Sequence, residues 1–258
     1  MRNYFLFFPD SGGMIDSREL MLHIEHLPDI QRATERVEKI TVPGRSGTLT
    51  RKEGENVFDS YTKTFDIVAL DESKIPKIHA LLRGTGKIIF SNEPQFRYTV
   101  SFDIGWSFNR FFRQWRRATL SLETQPFKES SELKKYTKTD ITEDIYGGSS
   151  GISLTINCET EIPCPFIVRF KSGDFYGYNH MQFNKERRVT FQSIYIRDPS
   201  ATEGIVDNER RLIYTDTGVN LLDYGRIGSF PFALEQGANL VEMTDVTKMS
   251  VEYRGWFL

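Results

Sequence analysis

The feature that most constrains this chain is a run of alternating residues in its first half. Tyr98, Val100, Phe102, Ile104, Trp106 and Phe108 are large and apolar, and Thr99, Ser101, Asp103, Gly105 and Ser107 between them are small or polar. Successive side chains of a strand point to opposite faces, so this period of two predicts a strand with one buried face over Tyr98 to Phe108. After a connection near Asn109 to Phe112, Ala118, Leu120 and Leu122 alternate with Thr119, Ser121 and Glu123. The two runs are expected to pair as a long antiparallel hairpin. Weaker alternation at Phe65-Ile67-Ala69, Phe166-Val168-Phe170 and Met249-Val251-Tyr253 makes the chain mainly β. The 20 Phe and 11 Tyr suit the pleated, half-buried surface of a sheet.

One segment has the helical period instead. Between Ser73 and Gly84, Ile75, Ile78 and Leu82 fall on one face of a helix. Ser73 is the expected cap, Pro76 is tolerated in the first turn, and Gly84 suits the position after the end. A short amphipathic helix packed on the sheet follows.

At 258 residues the chain has room for two domains. From Lys128 to Gly151 it turns polar and charged, ending in a Gly/Ser cluster, and the boundary is placed there, near residue 130. The expected fold is thus two β-sandwich-like domains: residues 1–130 with the short α-helix, and residues 131–258, where short strands alternate with turn residues. No internal repeat is evident.

Charge excludes several classes. Lys plus Arg (33) nearly cancels Asp plus Glu (35), so no overall field favours a nucleic acid or an acidic membrane. The apolar run Tyr4 to Phe8 is five residues long and has no small-residue cleavage site, so it reads as a first strand, not a signal sequence. No stretch nears the roughly 18 to 20 apolar residues of a membrane-spanning helix, and the expectation is a soluble, unprocessed chain made in a cytoplasm.

The candidate chemistry is sparse. Gly147-Gly148-Ser149-Ser150-Gly151 fits the G-x-S-x-G nucleophile pattern, but a strand-like ISLTIN follows where the elbow needs a helix, so the linker reading prevails. His23 and His26 would face opposite ways on a strand, and His79 and His180 have no neighbouring ligand pattern. Cys158 and Cys164, six apart, could bridge a tight hairpin but read first as reduced structural thiols. No catalytic residue, metal or cofactor is expected.

Two clusters suggest recognition. Arg110, Arg113, Arg116 and Arg117 interleave with Phe111, Phe112 and Trp115, a mixture that suits either a nucleic-acid backbone or a hairpin tip buried against protein. Near-zero net charge favours protein contact. Phe175, Tyr176 and Tyr178 stand beside glycines in a loop that either covers a sandwich end or stacks on a sugar.

The order of these motifs resembles a known family, the distal tail proteins of long-tailed phages (siphophages) that infect Gram-positive bacteria. KITVPGRSGTLT (Lys39 to Thr50), the helix ending Leu81-Leu82-Arg83-Gly84 and the strand closing in ETQPFKE (Glu123 to Glu129) are similar to its amino-terminal domain. IPCPFIVRF (Ile162 to Phe170) and FPFALEQGANLVEM (Phe230 to Met243) are similar to its carboxy-terminal domain. The resemblance implies a structural virion protein, not an enzyme, whose amino-terminal domains form a hexameric ring at the tail tip. Galectin-like sandwiches, akin to carbohydrate-binding modules, would project from that ring. Implied partners are further copies of the chain, the major tail tube protein, the tail-tip hub or tail-associated lysin, and a receptor-binding protein, with assembly in the host bacterial cytoplasm.

The galectin likeness concerns architecture alone. A galectin sugar site needs His-x-Asn-x-Arg and Trp-x-x-Glu-x-Arg strands; His180-Met181-Gln182 departs from the first, and no Glu or Arg follows Trp256. The alternative function remains a carbohydrate-binding protein using Phe175, Tyr176 and Tyr178. A closed ring needs two complementary patches on different sides of one subunit. The turn Pro43, Gly44, Arg45, Ser46 and Gly47, continued through Arg51 and Lys52 towards Phe58, is the expected ring contact. The tip formed by Arg110, Phe111, Phe112, Arg113 and Trp115 is the second protein-contact candidate.

Overall fold

The computed structural model describes residues 3–44, 46–52, 54, 56–102, 104–146, 149–173, 177–222 and 230–258. The chain divides into two compact units, Met1–Ser131 with Phe257–Leu258, and Glu132–Trp256.

The first unit contains β1 (Phe5–Pro9), β2 (Ile15–Asp16), β3 (Leu22–His26), β4 (Val37–Thr41), β5 (Thr48–Lys52) and β6 (Tyr61–Ala69). These are followed by α1 (Ile75–Leu81), β7 (Thr85–Phe90), β8 (Phe96–Ser101), β9 (Asn109–Phe112) and β10 (Trp115–Ser130). One antiparallel sheet runs β2-β1-β7-β8-β10-β6-β3, with β9 paired to the start of β10. Its inner face carries Phe5, Phe7, Ile24, Phe65, Ile67, Ile88, Phe90, Tyr98, Leu120 and Leu122, all buried. The rings of Phe5, Phe65, Phe90 and Tyr98 follow one another at centroid separations of 5.8, 5.4 and 6.0 Å, the first two pairs edge-on and the third tilted, adding ring contacts to the roughly 1.5–3 kcal/mol of burying a large apolar side chain.

The helix covers this core with Ile78 and Leu82, as the spacing predicts. Its start differs from expectation. A short 3-10 turn, Glu72–Lys74, precedes it, and Asp71, not Ser73, caps that turn, its carboxylate accepting the Ser73 N–H at 3.0 Å; α1 itself starts after Lys74 without a side-chain cap. A carboxylate reaches two residues ahead and also accepts the Ser73 hydroxyl at 2.7 Å, so serine becomes the capped residue.

The long alternating run is also shorter than its pattern. β8 ends at Ser101, and Trp106 and Phe108 leave the sheet for α1, where the Trp106 ring stacks on His79 at 4.3 Å with Phe108 edge-on at 5.6 Å. The presumed connection Asn109 to Phe112 is itself β9, and its hairpin with β10 turns at Arg113 and Gln114. β8 does pair with β10, but with the far end, Glu123↔Ser101 to Ser130↔Phe96. The register shifts between Thr124 and Lys128, which admits Pro126, a residue that cannot donate to a ladder.

The second unit holds β11 (Lys134–Lys138), β12 (Thr142–Tyr146), β13 (Ser149–Cys158), β14 (Phe166–Ser172), β15 (Tyr178–Phe183) and β16 (Arg187–Gln192). α2 (Ile194–Arg197), β17 (Gly204–Asp207), β18 (Leu212–Thr215), β19 (Gly237–Thr244) and β20 (Val246–Tyr253) complete it. Two antiparallel sheets, β11-β20-β14-β17-β18 and β12-β13-β19-β15-β16, enclose one core, so this unit is a β-sandwich. Phe166 meets Phe183 at 5.7 Å and Phe170 meets Phe191 at 5.5 Å across the two sheets. The polar segment after Lys128 forms β11 and β12, which lie at sheet edges.

Two stability consequences follow from these contacts. Gly204 pairs with Phe170, whose ring atoms would stand 2.2 Å from an added Cβ. Gly204→Ala is therefore expected to lower unfolding stability by roughly 1–3 kcal/mol in urea titration, with partial recovery when Phe170→Leu makes room. Glu129 is buried, which alone would raise its pKa, but Lys87 and then Arg97 outweigh this and hold it below the ordinary 4.5. The Arg97 Nε donates at 2.8 Å and the Lys87 ammonium to the other carboxylate oxygen. A depressed carboxylate stabilises the fold above its unfolded pKa, and this is lost as pH falls through its folded one. Glu129→Gln should cost roughly 2–3 kcal/mol at neutral pH, and its stability curve should converge with that of the parent chain in acid.

Candidate assembly surfaces

The turn containing Pro43 and Ser46 joins β4 to β5 in a ribbon running from Val37↔Lys52 to Thr41↔Thr48. Gly44 (φ +79°) and Gly47 (φ +83°) take left-handed conformations that glycine adopts at little cost. Arg45 lies outside the described residues. Among the described residues, the two strands pair with each other alone, and nearly every residue in them is exposed. Directly opposed on the ribbon are Ile40 and Leu49, 37% and 40% exposed.

A lone two-stranded ribbon is marginal in water, so its base is where the chain holds it. There Arg36 N donates to Val57 O (2.9 Å), Asp59 N to Thr34 O (3.0 Å) and Arg36 Nε to Asp59 Oδ1 (2.7 Å). Phe58 sets its ring edge-on against Phe127 at 5.6 Å, just beyond Pro126. The Lys52 ammonium donates to Glu35 at 2.7 Å, whereas Arg51 stands opposite Glu38. Of the predicted contact residues, Lys52 therefore serves the base, and Pro43, Gly44, Ser46, Gly47 and Arg51 belong to the projecting part. Ile40 lies outside the expected contact stretch, and Leu49 falls within it without having been singled out. Their near-symmetric placement about the glycine turn was the available signal.

The second surface is the β9–β10 hairpin. Phe111, Phe112 and Trp115 are 50%, 53% and 38% exposed, Phe112 lies 5.8 Å from Trp115, and the Arg113 guanidinium sits 5.3 Å from the Phe112 ring. Arg113 turns the chain at φ +44°. The arginine cluster divides here. Arg116 bonds Glu72 at 2.7 Å, and Arg117 bonds Asp66 at 2.8 Å and Glu25 at 2.7 Å, tying the hairpin to its own unit. Arg110 and Arg113 remain with the outward aromatics. This is an amphipathic tip of the composition enriched at protein interfaces.

The remaining sequence candidates give no reaction centre. Phe175, Tyr176, Gly147 and Gly148 lie outside the described residues. Tyr178 opens β15 half-buried, opposite Gln192. Ser149 begins β13, so a strand stands where a nucleophile elbow needs a helix. His23 and His26 lie on β3, and His180 Nδ1 is 3.0 Å from Thr190 Oγ1. Among the described residues, no group of three potential metal ligands converges and no helix is long and apolar enough to cross a membrane. An open hollow of about 580 Å³ lies between the Pro9 to Ile15 segment and the Ala80 to Thr85 stretch.

A curled sheet carrying a free ribbon, followed by a sandwich, defines a fold found in phage adsorption and baseplate proteins. It is similar to that of the SPP1 Dit protein (gp 19.1), described as a paradigm of the hub adsorption apparatus in Gram-positive infecting phages. The match has a TM-score of 0.69 at 14% identity, over 98% of this chain and 99% of that one. A chain of the phage P2 baseplate in its activated conformation with Ca matches at TM-score 0.61 and 8% identity, over 99% and 98%. The corresponding Sr form matches at 0.59 and 9%, over 98% and 97%. No family profile and no curated protein matches the sequence.

Since Ile40, Leu49 and Phe112 touch water, replacing each by serine should leave the stability of the isolated chain within roughly 0.5 kcal/mol. Thermal unfolding of the triple variant checks this.

Proposed function

We propose that this chain is a distal tail protein: a non-enzymatic structural subunit that forms a hexameric ring at the tip of a phage tail. Residues 1–130 build the ring. Residues 131–258 are its peripheral, galectin-like sandwich. One side of the ring continues the major tail tube, and the other carries the tail-tip hub or tail-associated lysin and, through it, a receptor-binding protein. The subunit is assembled in the host bacterial cytoplasm and ends in the virion.

The observation that carries this reading is the end-to-end correspondence with the SPP1 Dit fold, which spans both units. The exposed ribbon supplies the physical need. Ile40 and Leu49 gain burial only against another molecule, and a ring requires one projecting patch and one receiving patch per subunit. The β9–β10 tip, with its outward Phe111, Phe112 and Trp115, is the proposed docking point for an axial partner, where aromatic and arginine side chains anchor interfaces.

Light-scattering chromatography over a concentration series, with negative-stain images of the large species, tests the proposal. The expected result is a six-membered ring with a central hole, formed alone or on adding tail tube and hub proteins. Ile40→Ser with Leu49→Ser should leave the subunit folded and abolish the ring. A folded chain that stays monomeric at every concentration, with and without those proteins, overturns the reading.

A further inference from the structure

The two cysteines take no part in either assembly surface, yet their arrangement is specific. Cys158 ends β13 opposite Gly237, and Cys164 is bridged to Leu234 by both of its backbone groups, at 3.0 and 2.9 Å. Both are free thiols inside the sandwich core, and their sulfurs stand 3.8 Å apart. The loop between them is pinned as well. Thr160 Oγ1 accepts the Trp256 N–H at 2.9 Å, and Glu161 N donates to Trp256 O at 2.9 Å.

We infer that Cys158 and Cys164 form a latent disulfide site, closed within one chain by an oxidant of the peroxide class. Proximity carries the inference. Two thiols fixed on ordered backbone at van der Waals distance need only small side-chain rotations to bond, and no other thiol exists in the chain to compete. The surroundings of the two sulfurs set the order of events. The hydrogen bond between the two sulfurs, with the Tyr253 hydroxyl, holds Cys158 below the usual thiol range despite burial, while the same contact and burial push Cys164 up. Cys158 is thus the first nucleophile.

In the first step the Cys158 thiolate attacks one peroxide oxygen. The O–O bond breaks, and the departing hydroxide takes a proton to become water, leaving a sulfenic acid on Cys158. The Cys164 sulfur then attacks the Cys158 sulfur. The S–O bond breaks, and the leaving hydroxide takes the Cys164 proton. Two thiols and one hydrogen peroxide become one disulfide and two waters. Because the resolving thiol is already in contact and bulk solvent is excluded, capture should outrun further oxidation of the sulfenic acid.

The test uses the full, folded chain treated with hydrogen peroxide, quenched with catalase, then denatured in iodoacetamide without reductant and weighed intact. The expected product is monomeric, two hydrogens lighter than the parent and unalkylated, and prior reduction restores two alkylation sites. Cys158→Ser and Cys164→Ser chains should show no such loss. A chain still alkylated twice after prolonged exposure, a sulfinic acid without cross-link, or a disulfide between chains would each overturn the inference. The wild-type result decides it even if a serine variant fails to fold.

Discussion

Hydrogen bonding along both edges of β10 holds the first unit together. This strand of 16 residues gives one edge to β6, from Arg116↔Ala69 to Thr124↔Tyr61. The other edge is divided between β9 at its start and β8 at its end. Leu120 and Leu122 enter the core from it, Arg116 and Arg117 fasten the outward hairpin, and Glu129 closes its far end with Lys87 and Arg97. The irregularity at Thr124 to Lys128 is thus a joint. It tolerates Pro126 and presents Phe127 to the base of the ribbon.

The same strand passes beside a buried charge. Lys63 on β6 is 1% exposed, donates from Nζ to Asp29 O at 2.7 Å and lies 4.6 Å from the Tyr98 ring centre; burial depresses its pKa. Glu93 accepts the Tyr98 hydroxyl and pairs with Lys128 at 3.4 Å. An ammonium in an apolar interior is costly unless oxygen atoms and ring faces surround it. Once they do, any slip of β6 against β8 or β10 strands the charge, so the network resists such a slip as the apolar alternation does.

Alternation exposed in the sequence what a covered face demands. Phe65-Ile67-Ala69, Phe166-Val168-Phe170 and Met249-Val251-Tyr253 all lie in strands because each set has a core to enter. It failed where the same spacing served another geometry, since Trp106 and Phe108 keep the period of two yet gather around His79. β11 and β12 were illegible for the opposite reason: edge strands with solvated faces need no apolar stripe. The turn of the ribbon was legible in its glycines, whereas the exposure of Ile40 and Leu49 was not. Apolar spacing marks a face and does not tell whether the chain covers it with its own residues.

The ribbon also bears on timing. Its strands gain no shelter from a core of their own, so in the proposed ring they settle at the moment they meet a neighbour, and the ordering entropy is charged to that encounter. Weak first contacts would then dissolve quickly, and only a neighbourhood already rich in subunits, or a surface that gathers them, would let closure win. In the proposed ring, such a chain would stay dispersed while it is being made and join in earnest where a growing tail supplies the template.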